Sequence, residues 1–261
     1  MDMAILLLIG LVTGVTTVLF GFGGGFVAVP VVVWADAELG ADTVRVATAT
    51  SALVMVVNAA FATAVTPRRV LRALRGSGLL LFLLAAGACA GALASRYAPP
   101  EPVRWAFVLY VTATAVDLLL RPGFLRPRER ASTDVPRGLR ATAGAPIGAV
   151  AAFLGVGGSV MTVPAMRRAG HPMEVATALA NPLALAVALP AALLSLAGTP
   201  LPAAPLDLVG LVDPGAAGAL LLGALPVIAV LRRRPPRIPD RAHAWAYLLL
   251  LAAVALAMGI R

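Results

Sequence analysis

The stretch GFGGGFVAVP, residues 21–30, follows directly on the apolar run MAILLLIGLVTGVTTVLF and places four glycines within five positions. Glycine in a helix interior costs about 1 kcal/mol relative to alanine, so a contiguous cluster marks a break in the helix. Close packing of helices would ask for glycines at helical spacing, as at Gly87 and Gly91 or at Gly215, Gly218 and Gly223. The pattern occurs twice: GVGGSVMTVP at 155–164 matches it, and after each copy VRVATATS at 44–51 and MEVATALAN at 173–181 share Val-Ala-Thr-Ala. Two matches in the same order identify an internal duplication whose second linker is five residues shorter. Loops tolerate such a difference.

Composition sets the solvent in which these breaks lie. With 60% hydrophobic residues, 13% charged residues and a mean hydropathy of +0.93, the chain reads as a polytopic membrane protein with no room for a separate soluble domain. The first twenty residues lack a basic leader region and a small-residue cleavage site, so they are expected to be structure. The single cysteine, Cys89, falls in an apolar run and is expected to be a small buried side chain. The formal charge of +9 is carried by short loops between apolar runs, which points to membrane topology and away from nucleic acid.

Apolar segments are expected at 3–20, 22–35, 44–66, 78–95, 103–120, 141–155, 157–166, 174–198, 207–230 and 243–260. Three basic loops separate them, beginning at Pro67, Arg121 and Arg232. Eight simple crossings would put the second and third loops on opposite sides, against the positive-inside rule. If each glycine-rich segment instead enters and returns as a hairpin, all three loops share the cytoplasmic side. The expected fold is an all-α polytopic membrane protein of two inverted repeats, each a glycine-broken hairpin plus three transmembrane helices. The first repeat is 1–130 (hairpin 3–35, helices 44–66, 78–95 and 103–120) and the second 131–261 (hairpin 141–166, helices 174–198, 207–230 and 243–260). Both termini are then outside.

Broken backbone at membrane depth is tolerated only where protein or a water-filled cavity partners the freed groups. In each hairpin the second leg starts at the glycines, so its free N–H groups and positive dipole end point into the membrane, a geometry suited to an anion. Repeat matching places the uncharged polar side chains of Thr48, Thr50 and Ser51 in one half, and of Ser159, Thr177 and Asn181 in the other, near the tips. Hydroxyls in spanning helices also bond their own backbone, so this alternative stands beside each. Asn181-Pro182 is expected to mark a second helix irregularity. Among acids, Asp117 and Glu174 read as interfacial charges or caps, and Asp213 as deeper in its span. No Walker, zincin or complete dinucleotide-binding motif is present in the sequence.

GFGGGFVAVP and GVGGSVMTVP together resemble the duplicated glycine-rich signature of the TauE/SafE sulfite exporter family, and the resemblance covers nearly the whole chain. It implies a bacterial inner-membrane permease for sulfite, a sulfonate or a related organic anion. The second copy departs at Ser159, which replaces Gly25, and at Leu179-Ala180, which replace Thr50-Ser51. The expected substrate-binding set is Gly23, Gly24, Gly25, Thr50, Ser51, Gly157, Gly158, Ser159 and Asn181, with backbone N–H groups as main donors. No catalytic residue, metal or cofactor is expected. The expected partners are a small anion and the lipid bilayer, with a coupling proton or other ion and a homo-oligomer left open. Alternating access around the tips is the expected mechanism. An uncoupled anion channel and a membrane-embedded assembly subunit are the alternatives.

Overall fold

A computed structural model describes residues 3–24, 26, 40–125, 140–197 and 208–260, without the side chains of 40–45, 47 and 100. Its elements are α1 (Met3–Phe20), α2 (Gly40–Ala64), the short α3 (Arg68–Leu71) with a 3-10 turn (Arg72–Leu74), α4 (Gly78–Ser95) and α5 (Pro100–Leu120). After a 3-10 turn at Ala141–Ala143 come α6 (Gly144–Leu154), α7 (Ser159–Arg168), α8 (Met173–Leu196), α9 (Pro214–Arg233) and α10 (Asp240–Gly259). Among the described residues there is no strand, and the fold is all-α. Six helices, α1, α4, α5, α8, α9 and α10, are long and apolar enough to cross a bilayer. A seventh arises if Thr48–Ala64 and the 68–74 segment, bent by 104° from it, count as one span. The chain is a multi-pass membrane protein.

The expected boundaries hold at α1 and α4 and shift by a few residues at α2, α5, α6, α7, α8 and α10. α9 begins later than expected, because Asp213 caps it: the carboxylate accepts the Ala216 N–H at 2.9 Å and Pro214 follows at the first helical position. Asp213 is therefore a helix cap and not a deep intramembrane acid. Asn181-Pro182 lies inside α8, which runs as one helix from Met173 to Leu196 through both Pro182 and Pro190. The segment 22–35 lies largely outside the described residues, as does most of the basic loop after Arg121.

The helix break around residues 155–158 is flanked by half-length pieces. α6 has 11 residues, about 16 Å at roughly 1.5 Å per residue, or half of a hydrocarbon core of about 30 Å. It ends in a Schellman motif: Gly155 is left-handed (φ 71°), the Val156 N–H donates to Ala151 O and the Gly155 N–H to Ala152 O. α7 then starts behind Gly158 and carries Pro164. Pro164 has no N–H for Val160 O. The buried Tyr247 hydroxyl covers that place, lying 3.2 Å from Ser159 O and 3.5 Å from Val160 O.

Helices of the two sequence halves pack in exchange. α1 lies along α9 and α6 along α4, while α4 packs on α8 as α9 packs on α2. α2 meets α8, and α5 meets α10. The two long contacts are made by small residues. A Cβ on Gly14 would lie 2.7 Å from Ala224 O, and one on Gly223 2.5 Å from Leu7 O. On the other contact, Cβ atoms on Gly87, Gly91 and Gly148 would overlap the carbonyls of Ala145, Ala149 and Leu84. Gly218 has open space around it and Gly215 meets only the Asp213 side chain, so these two do not take the packing role expected of them. Cys89 is exposed on the outer surface of α4, contrary to the expected burial. Leu109 of α5, Leu222 of α9 and Leu249 of α10 are exposed as well, as suits a lipid solvent.

Candidate functional site

Both glycine clusters form turns with the same backbone geometry. Gly21, Gly23 and Gly24 have φ of 74°, 64° and 95°, and Gly155, Gly157 and Gly158 have 71°, 70° and 80°. Side chains with a Cβ are disfavoured there by roughly 1–2 kcal/mol per residue, which explains why the matched positions are all glycine. Gly25 lies outside the described residues.

The fold brings the two turns together across one methionine. A Cβ on Gly23 would lie 2.6 Å from Met55 Cγ, and one on Gly157 would lie 2.5 Å from Met55 Sδ and 3.6 Å from Phe22 O. Phe22 is fully buried, stacked at 4.4 Å on Phe26 and at 5.3 Å on Tyr247, the residue that also holds the start of α7. One aromatic cluster thus fixes both tips. Among the described residues no acceptor reaches the N–H groups of Phe22, Gly23 and Gly24, or of Gly157, Gly158, Ser159 and Val160. Thr162 and Met161 donate instead to Gly158 O, at 3.0 and 3.2 Å, as the first turn of α7 closes.

Side chains around the turns are polar but uncharged. Ser159, Asn181, Asn58 and Thr162 are all fully buried. Among the described residues, Ser159 Oγ, Thr162 Oγ1, Asn181 Oδ1 and both amide atoms of Asn58 have no hydrogen-bond partner. Asn181 Nδ2 donates to Thr177 O at 3.3 Å, and the same carbonyl would lie 2.7 Å from a Cβ on Gly21. Asn181 therefore stands beside the first turn although it belongs to the second half. Asn58 Nδ2 would be 3.1 Å from a Cβ on Gly24.

Thr50 and Ser51 are buried, but Thr50 is engaged: its Oγ1 accepts the Asp213 N–H at 3.0 Å and ties α2 to the start of α9. Thr177 Oγ1 donates to Glu174 O, the backbone bond weighed against a site role, and Thr48 lies on an exposed position. Sequence reasoning missed Asn58, Met55, Thr162 and Tyr247. Asn58 was findable, because VMVVNAAF sets an asparagine in an otherwise apolar run, the same signal that singled out Asn181.

Charge is kept at the far end of α7. Arg167, eight residues beyond Ser159 and thus about 12 Å along the helix, is fully buried. Its guanidinium makes a bidentate pair with Asp240 and donates to Phe124 O at 2.8 Å and His171 O at 3.3 Å. Asp240 also accepts the Met173 N–H at 2.8 Å. Nearby, Arg168 pairs with Asp117 at 2.5 Å and Arg121 with the same carboxylate at 2.8 Å, so Asp117 is an ion-pair partner. His243 Nε2 lies 2.5 Å from Leu19 O at the end of α1.

A family profile described as Sulfite exporter TauE/SafE matches residues 6–258. No curated protein and no solved structure matches the chain.

Proposed function

Because the chain belongs to the sulfite exporter TauE/SafE family, a family of membrane transporters, we propose that it exports a small sulfur-containing or organic anion, such as sulfite or a sulfonate. The substrate binds where the two glycine turns meet at Met55. The carrying observation is the juxtaposition, across Met55, of two left-handed turns whose N–H groups have no partner among the described residues, in a buried region whose polar side chains are amides and hydroxyls. Neutral donors suit a transported anion, since each helix end contributes roughly 0.3–2 kcal/mol and several must act together to bind without trapping. Arg167 is unsuited to that role, being already neutralised by Asp240.

The two sequence halves act as inverted repeats in this reading, and transport proceeds by alternating access as they rearrange around the site. The packing of α1 on α9 and of α6 on α4, each against the second transmembrane helix of the opposite half, supports the arrangement, as do the matched φ values at the turns. In this reading the protein belongs to a bacterial inner membrane, with its basic loops cytoplasmic by the positive-inside rule and both termini outside.

The test is a thermal-shift screen of detergent-purified protein against sulfite, sulfate, thiosulfate, sulfoacetate, taurine and small carboxylates at constant ionic strength, followed by flux in liposomes. A ligand specific to the folded state adds about 2.7 kcal/mol at a hundred times its dissociation constant. Selective stabilisation and saturable flux of a sulfur oxyanion or sulfonate are expected. Stabilisation by none of these anions would sink the reading.

A further inference from the structure

Resting on the anion site just described, we propose that Asn58 is a substrate-contacting residue that selects an anion carrying its own hydrogen-bond donor. The relevant class is a singly protonated oxyanion or a hydroxyl- or amino-substituted sulfonate. Asn58 is completely buried in α2, and among the described residues both its donor and its acceptor are unpartnered. It stands three residues from Met55, hence on the same helix face, and against Gly24. A buried amide left unpaired is unfavourable, so the fold retains a polar group here that the packing of the described residues does not use.

The chemistry of the unpaired groups narrows the ligand. Turn N–H groups can only donate, and they suit the oxygens of any oxyanion. Asn58 Oδ1 and Asn181 Oδ1 can only accept. Rotation of the Asn58 amide exchanges its ends but still leaves one donor and one acceptor at Gly24. A fully deprotonated oxyanion offers acceptors alone and would leave these oxygens unpaired, whereas a ligand with an O–H or N–H satisfies both sets. Sites built to bond a substrate hydroxyl discriminate strongly against analogues lacking it.

Asn58 also distinguishes the two tips. Continuing the Val-Ala-Thr-Ala match along the helices aligns Asn58 with Val187, and a Cβ on Gly158 would lie 3.2 Å from Val187 Cγ2. Equivalent turns thus face an amide in one half and an isopropyl group in the other.

The test uses the full chain in lipid nanodiscs, with 2-hydroxyethanesulfonate and its near-isostere propane-1-sulfonate measured by calorimetry. The wild type is expected to bind the hydroxyl compound at least roughly tenfold more tightly, and in Asn58→Leu the ratio of the two affinities should fall toward one. The ligand-free Asn58→Leu protein should melt at a higher temperature than the wild type, because an apolar side chain replaces an unpaired amide. Equal wild-type affinities, an unchanged ratio in Asn58→Leu, or a lower melting temperature of the variant would each overturn the assignment while leaving the anion site standing. If neither sulfonate nor hydrogensulfite binds, the anion site and this inference fall together.

Discussion

The turn at Gly21–Gly24 and the turn at Gly155–Gly158 have nearly the same backbone and different surroundings. Matched glycines at both are left-handed, yet α1 closes with a single bond from the Gly21 N–H to Thr17 O, and α6 closes with the two bonds of a Schellman motif. The leg leading into the first turn is an 18-residue helix, and the leg into the second has 11 residues. Gly24 faces Asn58 and Thr13, whereas Gly158 faces Val187 and Ala151. Backbone geometry is thus held common to the turns while side-chain chemistry is divided between them. A binding site made this way presents N–H donors from both sides and amide selectivity from one.

The largest expected effect tests what the turns share. Gly24→Leu and Gly158→Leu each force a side chain onto a left-handed residue and into atoms 3.1 or 3.2 Å from its Cβ. Both should lose anion binding beyond detection while remaining in the membrane fraction, as ligand-induced stabilisation and membrane yield would reveal. Loss in one variant only would mean that the turns do not contribute alike.

Next comes the anchor at the end of the helix that follows the second turn. Asp240→Ala strands the buried Arg167 at the end of α7 and should destabilise the protein by about 3–5 kcal/mol, read as a drop in melting temperature. A change no larger than that of an exposed ion pair would show that Arg167 finds other compensation.

A smaller effect separates packing glycines from incidental ones. Gly148→Leu overlaps the Leu84 carbonyl and should cost at least about 1–3 kcal/mol, whereas Gly218→Leu, with open space around its Cβ, should cost nothing and gain up to about 1 kcal/mol of helix propensity. Equal melting temperatures for the two would break the account of the α4–α6 contact. The smallest loss of stability is expected of Tyr247→Phe, which uncovers the carbonyls at the start of α7 and should cost about 1 kcal/mol. Binding should weaken with it, since the second turn loses its support while the first keeps the Phe22 stack.

Much of the fold was legible because the bilayer writes large signals into sequence. Runs such as 3–20 and 78–95 have a length set by hydrocarbon thickness, and they coincide with α1 and α4. Residues that depend on a distant partner were not legible. Cys89 sits in an apolar run on the lipid-facing side of α4, and no local pattern separates that from burial when both sides are apolar. Gly10 and Gly14 precede Gly21 by the same intervals as Gly144 and Gly148 precede Gly155. That further match gains meaning only from the helices against which these glycines press.

Composition and the doubled glycine clusters by themselves determined an all-α membrane protein with two broken segments, because an unsatisfied backbone in lipid permits few alternatives. The tertiary structure alone decided that the two turns meet across Met55, that Thr50 is spent on Asp213, and that Asn58 stands beside Gly24 without a partner among the described residues. Helix formation is a local matter of hydrogen bonds within a segment, whereas the pairing of a buried polar atom depends on which helix lies opposite it.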